Sequence, residues 1–338
     1  MADKVHVVVD AMGGDNAPGL IVKGAVDALN ENANVEVTLT GREADIQKAL
    51  SGLQYPKDRL HIVHCEEVIE MAEPPVDAIR TKKDSSMVRG LRMVKNGEAD
   101  AFVTAGSTGA ALAGGQLLVG RIRGIERPPL APILPTAKGP VLLIDCGANM
   151  DPRASMLLQF AQMGSIYMSN MTGIDKPRVG LVSVGTEEEK GNALTKEVFP
   201  LLKSCETINF VGNIEGRDIP EGAVDVAVTD AFTGNAILKT YEGVAGVLIH
   251  ELKDAMLSTT RSKAGALLVK PALKDMLVKF DATRYGGAPM LGLKGLVVKT
   301  HGNSKSEEIR NAVAQCVLFK EKDINGQFVK EMELGPKG

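Results

Sequence analysis

The sequence has no tryptophan and few aromatic residues of any kind, which make up 4% of its 338 residues. Its four cysteines show no CxxC pair, its five histidines are scattered, and no HExxH motif occurs. Zinc sites need closely spaced ligands of these types. The sequence therefore predicts no metal site, and we expect the cysteines to be reduced thiols in a cytosolic protein.

Motifs for nucleotide cofactors are also missing. No GxGxxG follows a strand and no GxxxxGK[ST] occurs, so the dinucleotide fingerprint and the P-loop are both absent from the sequence. A formal charge of −3 offers no overall attraction to nucleic acid. No apolar run approaches the roughly 20 residues that span a bilayer, and the N-terminal residues do not resemble a signal peptide. We expect a cytoplasmic protein that uses no cofactor.

What the sequence does contain is a strand-and-loop design that recurs four times. The run Val7-Val8-Val9 has no polar face, as expected for a strand buried on both sides of a parallel sheet. It ends in Asp10, Gly13, Gly14 and Asp15, and paired glycines allow backbone to approach a ligand closely. Three further apolar runs end in similar loops, at residues 105–110, 145–149 and 230–235.

Strands and helices alternate along the chain. Further strands are predicted at residues 35–39, 60–64, 179–184 and 208–211, and helices at 20–30 and 45–50. This alternation predicts an α/β fold with one doubly wound, mostly parallel sheet, built as a single domain over residues 1–338. Because such sheets bind ligands at the carboxyl ends of their strands, we expect the four loops to converge on one site.

Two segments carry the chemistry of anion binding, one of these four loops and a separate basic loop. Gly106, Ser107, Thr108 and Gly109 lie between a predicted strand and a predicted helix, where free backbone N–H groups favour a phosphate. The segment 80–86 places Lys82 and Lys83 beside Ser85, after a Pro-Pro helix start. The alternatives are an ordinary helix N-cap for the first loop and a solvated charged face for the second.

The chain resembles the bacterial phosphate acyltransferases of phospholipid synthesis over nearly its whole length. The motifs that carry this resemblance stand in family order: Asp10-Ala11-Met12-Gly13-Gly14-Asp15, Lys82-Lys83-Asp84-Ser85-Ser86, Ala105-Gly106-Ser107-Thr108-Gly109-Ala110, Asp145-Cys146-Gly147-Ala148-Asn149, Asn213-Ile214-Glu215-Gly216-Arg217-Asp218 and Tyr285-Gly286-Gly287-Ala288-Pro289. Ser107 and Ala231 depart from the expected Asn and Gly, and Ala231 bears on whether that position needs a positive φ. The resemblance implies a three-layer fold like that of isocitrate and isopropylmalate dehydrogenases.

The resemblance also implies an activity, the transfer of a fatty acyl group from acyl carrier protein to inorganic phosphate, which gives an acyl-phosphate. Phosphate is then the nucleophile, so the protein must hold an anion and stabilise an oxyanion. We assign phosphate binding to the 106–109 loop with Lys82, Lys83 and Ser85, and the thioester oxygen to Asn149, Asn235 or backbone N–H groups. Asp10, Asp15, Asp145 and Asp230 have either structural or catalytic roles, because carboxylates repel phosphate unless paired.

Two residues compete as the group that activates the reaction. His301 is the candidate general base, and the family carries a similar His-Gly pair; the alternative is a loop position before a capping box formed by Ser304 and Glu307. Cys146 is a candidate nucleophile, because thiols accept acyl groups from thioesters. A lone cysteine is more often a small buried apolar residue, so His301 is preferred.

Helical periodicity replaces strands over residues 239–281, and we predict a protruding helical hairpin there. Val244, Val247, Leu248 and Leu252 share one face, and Pro271 marks a second helix start. At the predicted tip, Leu267, Leu268 and Val269 lie among lysines and an arginine, a composition that suits insertion into an anionic membrane surface. The alternative is packing against a second copy in a homodimer, and we keep both.

The predicted partners follow from this activity. Acidic acyl carrier protein is expected to dock on a basic patch, either Arg121, Arg123 and Arg127 or the hairpin lysines. We expect a membrane glycerol-3-phosphate acyltransferase to be a further partner that consumes the product. Three rival functions remain: a metal-dependent hydroxyacid dehydrogenase with the aspartates as Mg²⁺ ligands, a phosphate acetyltransferase, and a noncatalytic membrane scaffold.

Overall fold

The β-branched runs of the sequence form strands in the computed structural model, which describes residues 4–334. All eight predicted strands are present, and three short strands add to them. The strands are β1 (Val5–Asp10), β2 (Val35–Gly41), β3 (Leu60–His64), β4 (Ala101–Thr104), β5 (Ile133–Pro135), β6 (Pro140–Ile144), β7 (Arg178–Val182), β8 (Asn209–Ile214), β9 (Val226–Val228), β10 (Ala288–Met290) and β11 (Leu296–Lys299).

These strands form two sheets rather than the single sheet that the alternation suggests. The first has the order β10-β11-β4-β1-β2-β3 and the second β5-β6-β9-β7-β8. Within each sheet the strands are parallel except for one antiparallel edge strand, β10 or β5. The prediction of one sheet was wrong because strand-helix alternation is the same for one sheet or two, and the pairing that separates them is long-range.

Helices connect the parallel strands. They are α1 (Gly19–Glu31), α2 (Glu43–Leu50), α3 (Pro75–Thr81), α4 (Ser86–Lys95), α5 (Thr108–Gly114), α6 (Ala154–Thr172), α7 (Ala193–Lys203), α8 (Asp218–Glu221), α9 (Ala231–Leu257), α10 (Thr260–Lys279), α11 (Ser306–Glu321) and α12 (Ile324–Leu334). The predicted helices at 20–30 and 45–50 are confirmed as α1 and α2. Pro75 occupies the first turn of α3, where its missing N–H costs no hydrogen bond.

One cluster of buried side chains includes residues of both sheets. Val7, Val9 and Val103 come from the first sheet, and Leu142 and Val179 come from the second. Helix α6 supplies buried aromatic residues to the same cluster, including Phe160 and Tyr167. This shared core supports the expected single domain, but the predicted range of 1–338 extends beyond the described residues at both ends and stays a prediction.

Two helices cover the region that was predicted to be a hairpin, but they differ from the prediction in detail. The turn between α9 and α10 falls at Ser258 and Thr259, and Pro271 lies inside α10 instead of starting a helix. Leu267, Leu268 and Val269 therefore lie within α10 rather than at a tip. The sequence pattern missed this because a proline suits a first turn but does not require one.

Most side chains of this α9–α10 segment are exposed. Helix α10 has no buried residue, and α9 buries only Ala231 and Gly234 near its start. Val244, Val247, Leu248 and Leu252 on α9 are all exposed to solvent. Among the described residues, no helix is both long and apolar enough to cross a membrane.

Candidate active site

The first predicted loop packs tightly against the second at the carboxyl ends of β1 and β4. The Asp10 carboxylate is buried and accepts a hydrogen bond of 2.8 Å from the Thr104 hydroxyl, which in turn accepts one of 2.9 Å from the Gly106 backbone N–H. Burial raises the pKa of Asp10, against hydrogen bonds from Ser86, Thr104 and Met12 that lower it. Asp10 therefore organises the junction of two loops.

Gly13 is required by this junction. A Cβ at Gly13 would lie 2.7 Å from both the Asp10 carboxylate and the Gly106 nitrogen, so a side chain there would force the loops apart. Gly14 has φ +91°, and Asp15 donates its backbone N–H to the Gly302 carbonyl at 2.7 Å. Asp15 itself is exposed. The first loop thus supports the segment that follows β11.

Asp145 organises the corresponding loop after β6 in the second sheet. Its buried carboxylate accepts hydrogen bonds from the backbone N–H groups of Leu130, Ala148 and Asn149, and from the Asn149 side chain at 2.7 Å. Burial raises the pKa of Asp145 to about 6 despite these four hydrogen bonds. The side-chain amide of Asn149 also donates to the Pro128 carbonyl. Asn149 was predicted to donate to the thioester oxygen, but Asp145 and Pro128 already accept both N–H groups of its side chain.

Asp230 is the N-cap of α9. Its carboxylate accepts hydrogen bonds from the Thr233 backbone N–H at 2.9 Å and the Thr233 hydroxyl at 2.7 Å, which is the usual use of Asp at a helix start. Ala231 begins the helix, and among residues 4–334 the only non-glycine residue with positive φ is Asp323. The alanine that departs from the family pattern therefore needs no strained backbone.

Lys82, Lys83 and Ser85 do not line the cavity described below, contrary to the prediction that they bind phosphate there. The Lys82 ammonium donates to the Val68 carbonyl at 2.7 Å and to Glu73 at 2.6 Å, and this hydrogen bond lowers the pKa of Glu73. Ser85 is the buried N-cap of α4 and donates its hydroxyl to the Lys82 carbonyl. Lys83 is exposed. These groups hold the 66–73 segment and start a helix.

In the glycine loop after β4, two residues have structural roles and a third faces the cavity. Ser107 is buried and caps α5, where its hydroxyl accepts from the Ala110 N–H, so the alternative reading of an N-cap is confirmed for this residue. A Cβ at Gly109 would lie 2.6 Å from Pro75, which explains the glycine by packing against α3. Thr108 is exposed and faces the cavity described next.

A cavity of about 500 Å³ lies between the two sheets, where the loops after β4, β6, β9 and β11 meet. One wall is apolar and comes mainly from the segment before β6 and from α9, with Leu130, Pro132, Ile133, Leu134 and Leu238. Tyr241 of α9 and Phe280 at the end of α10 also line the cavity. The predicted convergence of loops is thus confirmed for three of the four, and the loop after β11 takes the place of the first.

The other end of the cavity is polar and carries several charges. Helix α9 presents Asn235, Lys239 and Glu242 to it, and the end of β11 presents Lys299 and His301. The Lys239 ammonium lies 2.8 Å from a Glu242 oxygen, and His301 Nε2 lies 3.4 Å from the other. Lys299 is 7% exposed, and burial lowers its pKa to about 8.

His301 and Asn235 are the predicted catalytic residues that the structure brings to the cavity. The capping-box alternative for the His301 loop was wrong, because α11 begins at Ser306 with Lys305 as N-cap. Ser304 instead donates its hydroxyl to the His301 carbonyl, and Glu308 accepts the His301 backbone N–H at 3.1 Å. These contacts fix the loop and leave the imidazole facing the cavity.

Lys239, Glu242 and Lys299 were missed by sequence reasoning, although a signal was present for each. Lys239 and Glu242 follow Asn235 at helical spacing of four and seven, which places all three on one helix face. Leu296, Val297 and Val298 are an apolar run that ends in Lys299-Thr300-His301-Gly302, the same design as the four loops that were recognised.

Cys146 borders the cavity but is not suited to be a nucleophile. Its side chain is 3% exposed, and its thiol donates a weak hydrogen bond of 3.6 Å to the Leu143 carbonyl. Burial raises its pKa well above the usual value, whereas a nucleophilic cysteine needs a stabilised thiolate.

Among residues 4–334, no three His, Cys, Asp or Glu side chains gather as metal ligands.

The geometry therefore joins two environments in one cavity. An apolar wall can bury a chain of methylene groups, each worth about 0.8 kcal/mol. The opposite, charged end is called the basic end here because Lys299, Lys239 and His301 line it, and Glu242 and Glu308 lie beside them. Such an end can hold an anion and exchange a proton. This combination suits a reaction between an apolar acyl group and a small anion.

Comparison with known proteins identifies relatives of this chain. A family model described as "Fatty acid synthesis protein" matches residues 5–326. A phosphate acyltransferase from Clostridium botulinum (strain Loch Maree / Type A3) is 49% identical over 318 residues, which cover 94% of this chain and 95% of that protein. A phosphate acyltransferase from Clostridium novyi (strain NT) is 47% identical over 329 residues, or 97% of this chain and 99% of the relative.

Solved structures share the fold at low sequence identity. A phosphotransacetylase from Streptococcus pyogenes aligns with a TM-score of 0.59 at 18% identity, covering 94% of each chain. A 4-hydroxythreonine-4-phosphate dehydrogenase from Klebsiella pneumoniae aligns with a TM-score of 0.53 at 13% identity, covering 94% of this chain and all of the other. These likenesses concern the fold alone. The expected kinship to isocitrate and isopropylmalate dehydrogenases stays a prediction.

Proposed function

The chain belongs to the bacterial phosphate acyltransferase family, and we propose that it transfers a fatty acyl group from acyl-acyl carrier protein to inorganic phosphate. The product would be an acyl-phosphate for phosphatidic acid and phospholipid synthesis. The observation that carries this proposal is the single cavity with an apolar wall and a basic end. Binding both reactants side by side converts a bimolecular step into a positioned one.

In the proposed reaction the phosphate is itself the nucleophile, so no covalent enzyme intermediate is needed. A phosphate oxygen attacks the thioester carbonyl, the C–S bond breaks, and the proton of hydrogenphosphate passes to the leaving sulfur. His301 is placed to carry that proton, because its imidazole faces the cavity beside Glu242. Asn235, from the first turns of α9, is the proposed side-chain donor to the developing oxyanion.

The remaining predicted roles are adjusted to the geometry. Thr108 is kept as a phosphate ligand at the start of α5. Lys82, Lys83 and Ser85 are proposed to support neighbouring segments instead. The aspartates are proposed to have structural roles, since Asp10, Asp145 and Asp230 each accept hydrogen bonds that hold a loop or begin a helix.

Acyl carrier protein is the proposed acyl donor, and it is expected to approach the cavity by electrostatic steering. Arg123 and Arg127 are exposed beside the segment that leads into the apolar wall. Arg121 donates to the Glu126 carbonyl and Arg127 donates to the Gln116 side chain, so both are partly committed. Charge reversal of Arg123 should therefore raise KM for the acyl carrier protein substrate more than that for phosphate.

The exposed apolar residues of the α9–α10 segment support two further proposals. The α9 face with Val244, Val247, Leu248 and Leu252 is proposed to pack against a second copy in a homodimer. Leu267 and Leu268, 73% and 84% exposed, are proposed to contact an anionic membrane surface with the nearby lysines. The protein would then be cytoplasmic and peripherally membrane-associated, close to a membrane glycerol-3-phosphate acyltransferase that uses its product.

The test incubates purified protein with long-chain acyl-acyl carrier protein and inorganic phosphate, and traps acyl-phosphate with hydroxylamine. Phosphate-dependent hydroxamate is the expected result. Parallel reactions contain acetyl-CoA in place of the long-chain donor, or a hydroxyacid with nicotinamide and Mg²⁺. Faster turnover of acetyl-CoA would favour a phosphate acetyltransferase, and reduction of nicotinamide would favour a dehydrogenase. A folded protein that gives no product from the long-chain donor would overturn the proposal.

A further inference from the structure

Lys299 differs from every other basic residue of residues 4–334, because it is the one lysine or arginine whose side chain is buried. It ends β11 and lies on the wall of the active-site cavity. Burying an ammonium group is costly unless it is paired or hydrogen-bonded. A buried lysine at a cavity surface therefore calls for a partner on the cavity side.

The protein itself satisfies this ammonium only in part. Lys299 Nζ donates to the Ala105 carbonyl at 3.3 Å and to the Thr300 carbonyl. A lysine ammonium has three N–H donors, so two carbonyls leave one donor for a ligand. Both carbonyls belong to loops at the carboxyl ends of their strands, which fixes the position of Nζ relative to the cavity.

No carboxylate in residues 4–334 forms a direct ion pair with Lys299. The negative charges that act most strongly on the Lys299 ammonium are those of Glu308, Asp10 and Asp15, and Lys239 opposes them. Asp10 is engaged with Thr104 and the Met12 N–H, and Glu308 accepts the His301 N–H. These carboxylates keep the region from being strongly positive, yet the ammonium lacks a counter-ion in contact.

We propose that Lys299 is a catalytic residue of the acyl transfer, whose ammonium group contacts the attacking phosphate at the basic end of the cavity. This inference rests on the proposed function. The phosphate would supply the missing counter-ion, and Lys239 and His301 line the same end of the cavity. Lys299 stays protonated while the new C–O bond forms and the C–S bond breaks, and the proton passes from phosphate through His301 to sulfur.

A dependence on pH follows from the same contacts. Burial lowers the pKa of Lys299 to about 8, against Glu308, Asp10 and Asp15, which raise it, while Lys239 lowers it. The protonated form binds the anion, so kcat/KM for phosphate, which reports the free enzyme, should fall as the pH rises through about 8. An arginine would keep its charge throughout this range.

The experiment compares Lys299→Met and Lys299→Arg with the control Lys294→Met, an exposed lysine near the start of the same strand. Initial rates are measured against phosphate and against acyl-acyl carrier protein. Lys299→Met should lower kcat/KM for phosphate by about 10²- to 10³-fold, with KM for the acyl donor little changed. Lys299→Arg should shift the alkaline decline upwards, and Lys294→Met should behave as wild type.

Direct binding separates this inference from the proposed function. Inorganic phosphate should raise the melting temperature of the wild type and of Lys294→Met but not that of Lys299→Met, because only a bound ligand stabilises the folded state. Unchanged KM for phosphate in Lys299→Met would overturn the inference even if the wild type makes acyl-phosphate. If Lys299→Met does not fold, an alkaline limb that is identical in wild type and Lys299→Arg would overturn it.

Discussion

The start of α9 allows a test of how this helix packs against the second sheet. Gly234 lies so close to the second sheet that an added Cβ would be 1.9 Å from the Asp145 carbonyl oxygen and 3.0 Å from its carbon. No side-chain rotation relieves a contact between Cβ and backbone, so Gly234→Ala must move the helix or the Asp145 loop. Overpacking of this kind costs about 3 kcal/mol of unfolding free energy at the upper end of its usual range.

The same substitution further along α9 should have the opposite sign. At Gly246 no atom lies within 4 Å of the added Cβ, and Ala exceeds Gly in helix propensity by about 1 kcal/mol. We therefore expect the two variants to differ by about 4 kcal/mol.

Urea unfolding followed by circular dichroism measures both stabilities, and hydroxamate trapping measures activity. Gly234→Ala should lose activity as well, because Asn235 follows directly and faces the cavity, whereas Gly246→Ala should retain it. Equal stability of the two variants would show that α9 does not approach Asp145 as described.

Three further predictions address the loops and the α9–α10 segment. Lys82→Met should leave KM for phosphate unchanged but increase hydrogen exchange in the 66–73 segment, since Lys82 binds Glu73 and not the cavity; a raised KM would restore the original assignment. Burial raises the pKa of Asp145 to about 6 in the folded protein, so its ionisation destabilises the fold as the pH rises from about 4 to 6. The unfolding free energy of wild type should therefore fall by about 3 kcal/mol relative to that of Asp145→Asn between pH 4 and 7. A constant difference between the two in urea unfolding would contradict this. Leu268→Ser should weaken co-sedimentation with anionic vesicles about tenfold or more. The control Leu117→Ser changes an exposed leucine outside the α9–α10 segment and should not weaken it; equal losses would exclude a specific contact.

The fold could be predicted from the sequence wherever the signal was local. The runs at 7–9, 101–104 and 141–144 have no polar face, and each is a buried strand of a parallel sheet. The division into two sheets was not predictable in this way, because it depends on which strands pair, as β6 does with β9. Strands as short as β10 and β5 also give too few residues for a periodic pattern.

The candidate site shows the same limit at the level of single residues. The sequence identifies Asp145 and Asn149 as part of a polar loop. Only the structure shows that the Asp145 carboxylate accepts hydrogen bonds from the Asn149 side chain and from the Leu130 backbone N–H. Lys82 looks like a phosphate ligand in the sequence, yet Glu73 and Val68 already hold its ammonium. Residue type and spacing indicate which groups can bind an anion, whereas the contacts of the folded chain decide whether those groups are free to bind one.

Helix α9 connects the cavity to the exposed apolar face of the α9–α10 segment. It runs without interruption from Ala231 to Leu257, about 40 Å at 1.5 Å per residue. Its first turns carry Asn235, Lys239 and Glu242 into the cavity, and its later turns carry the exposed apolar face. Because one rigid element bears both, a partner that packs on the later turns would hold the cavity in a fixed orientation relative to itself. A second copy bound there would therefore determine where the acyl end of the cavity opens.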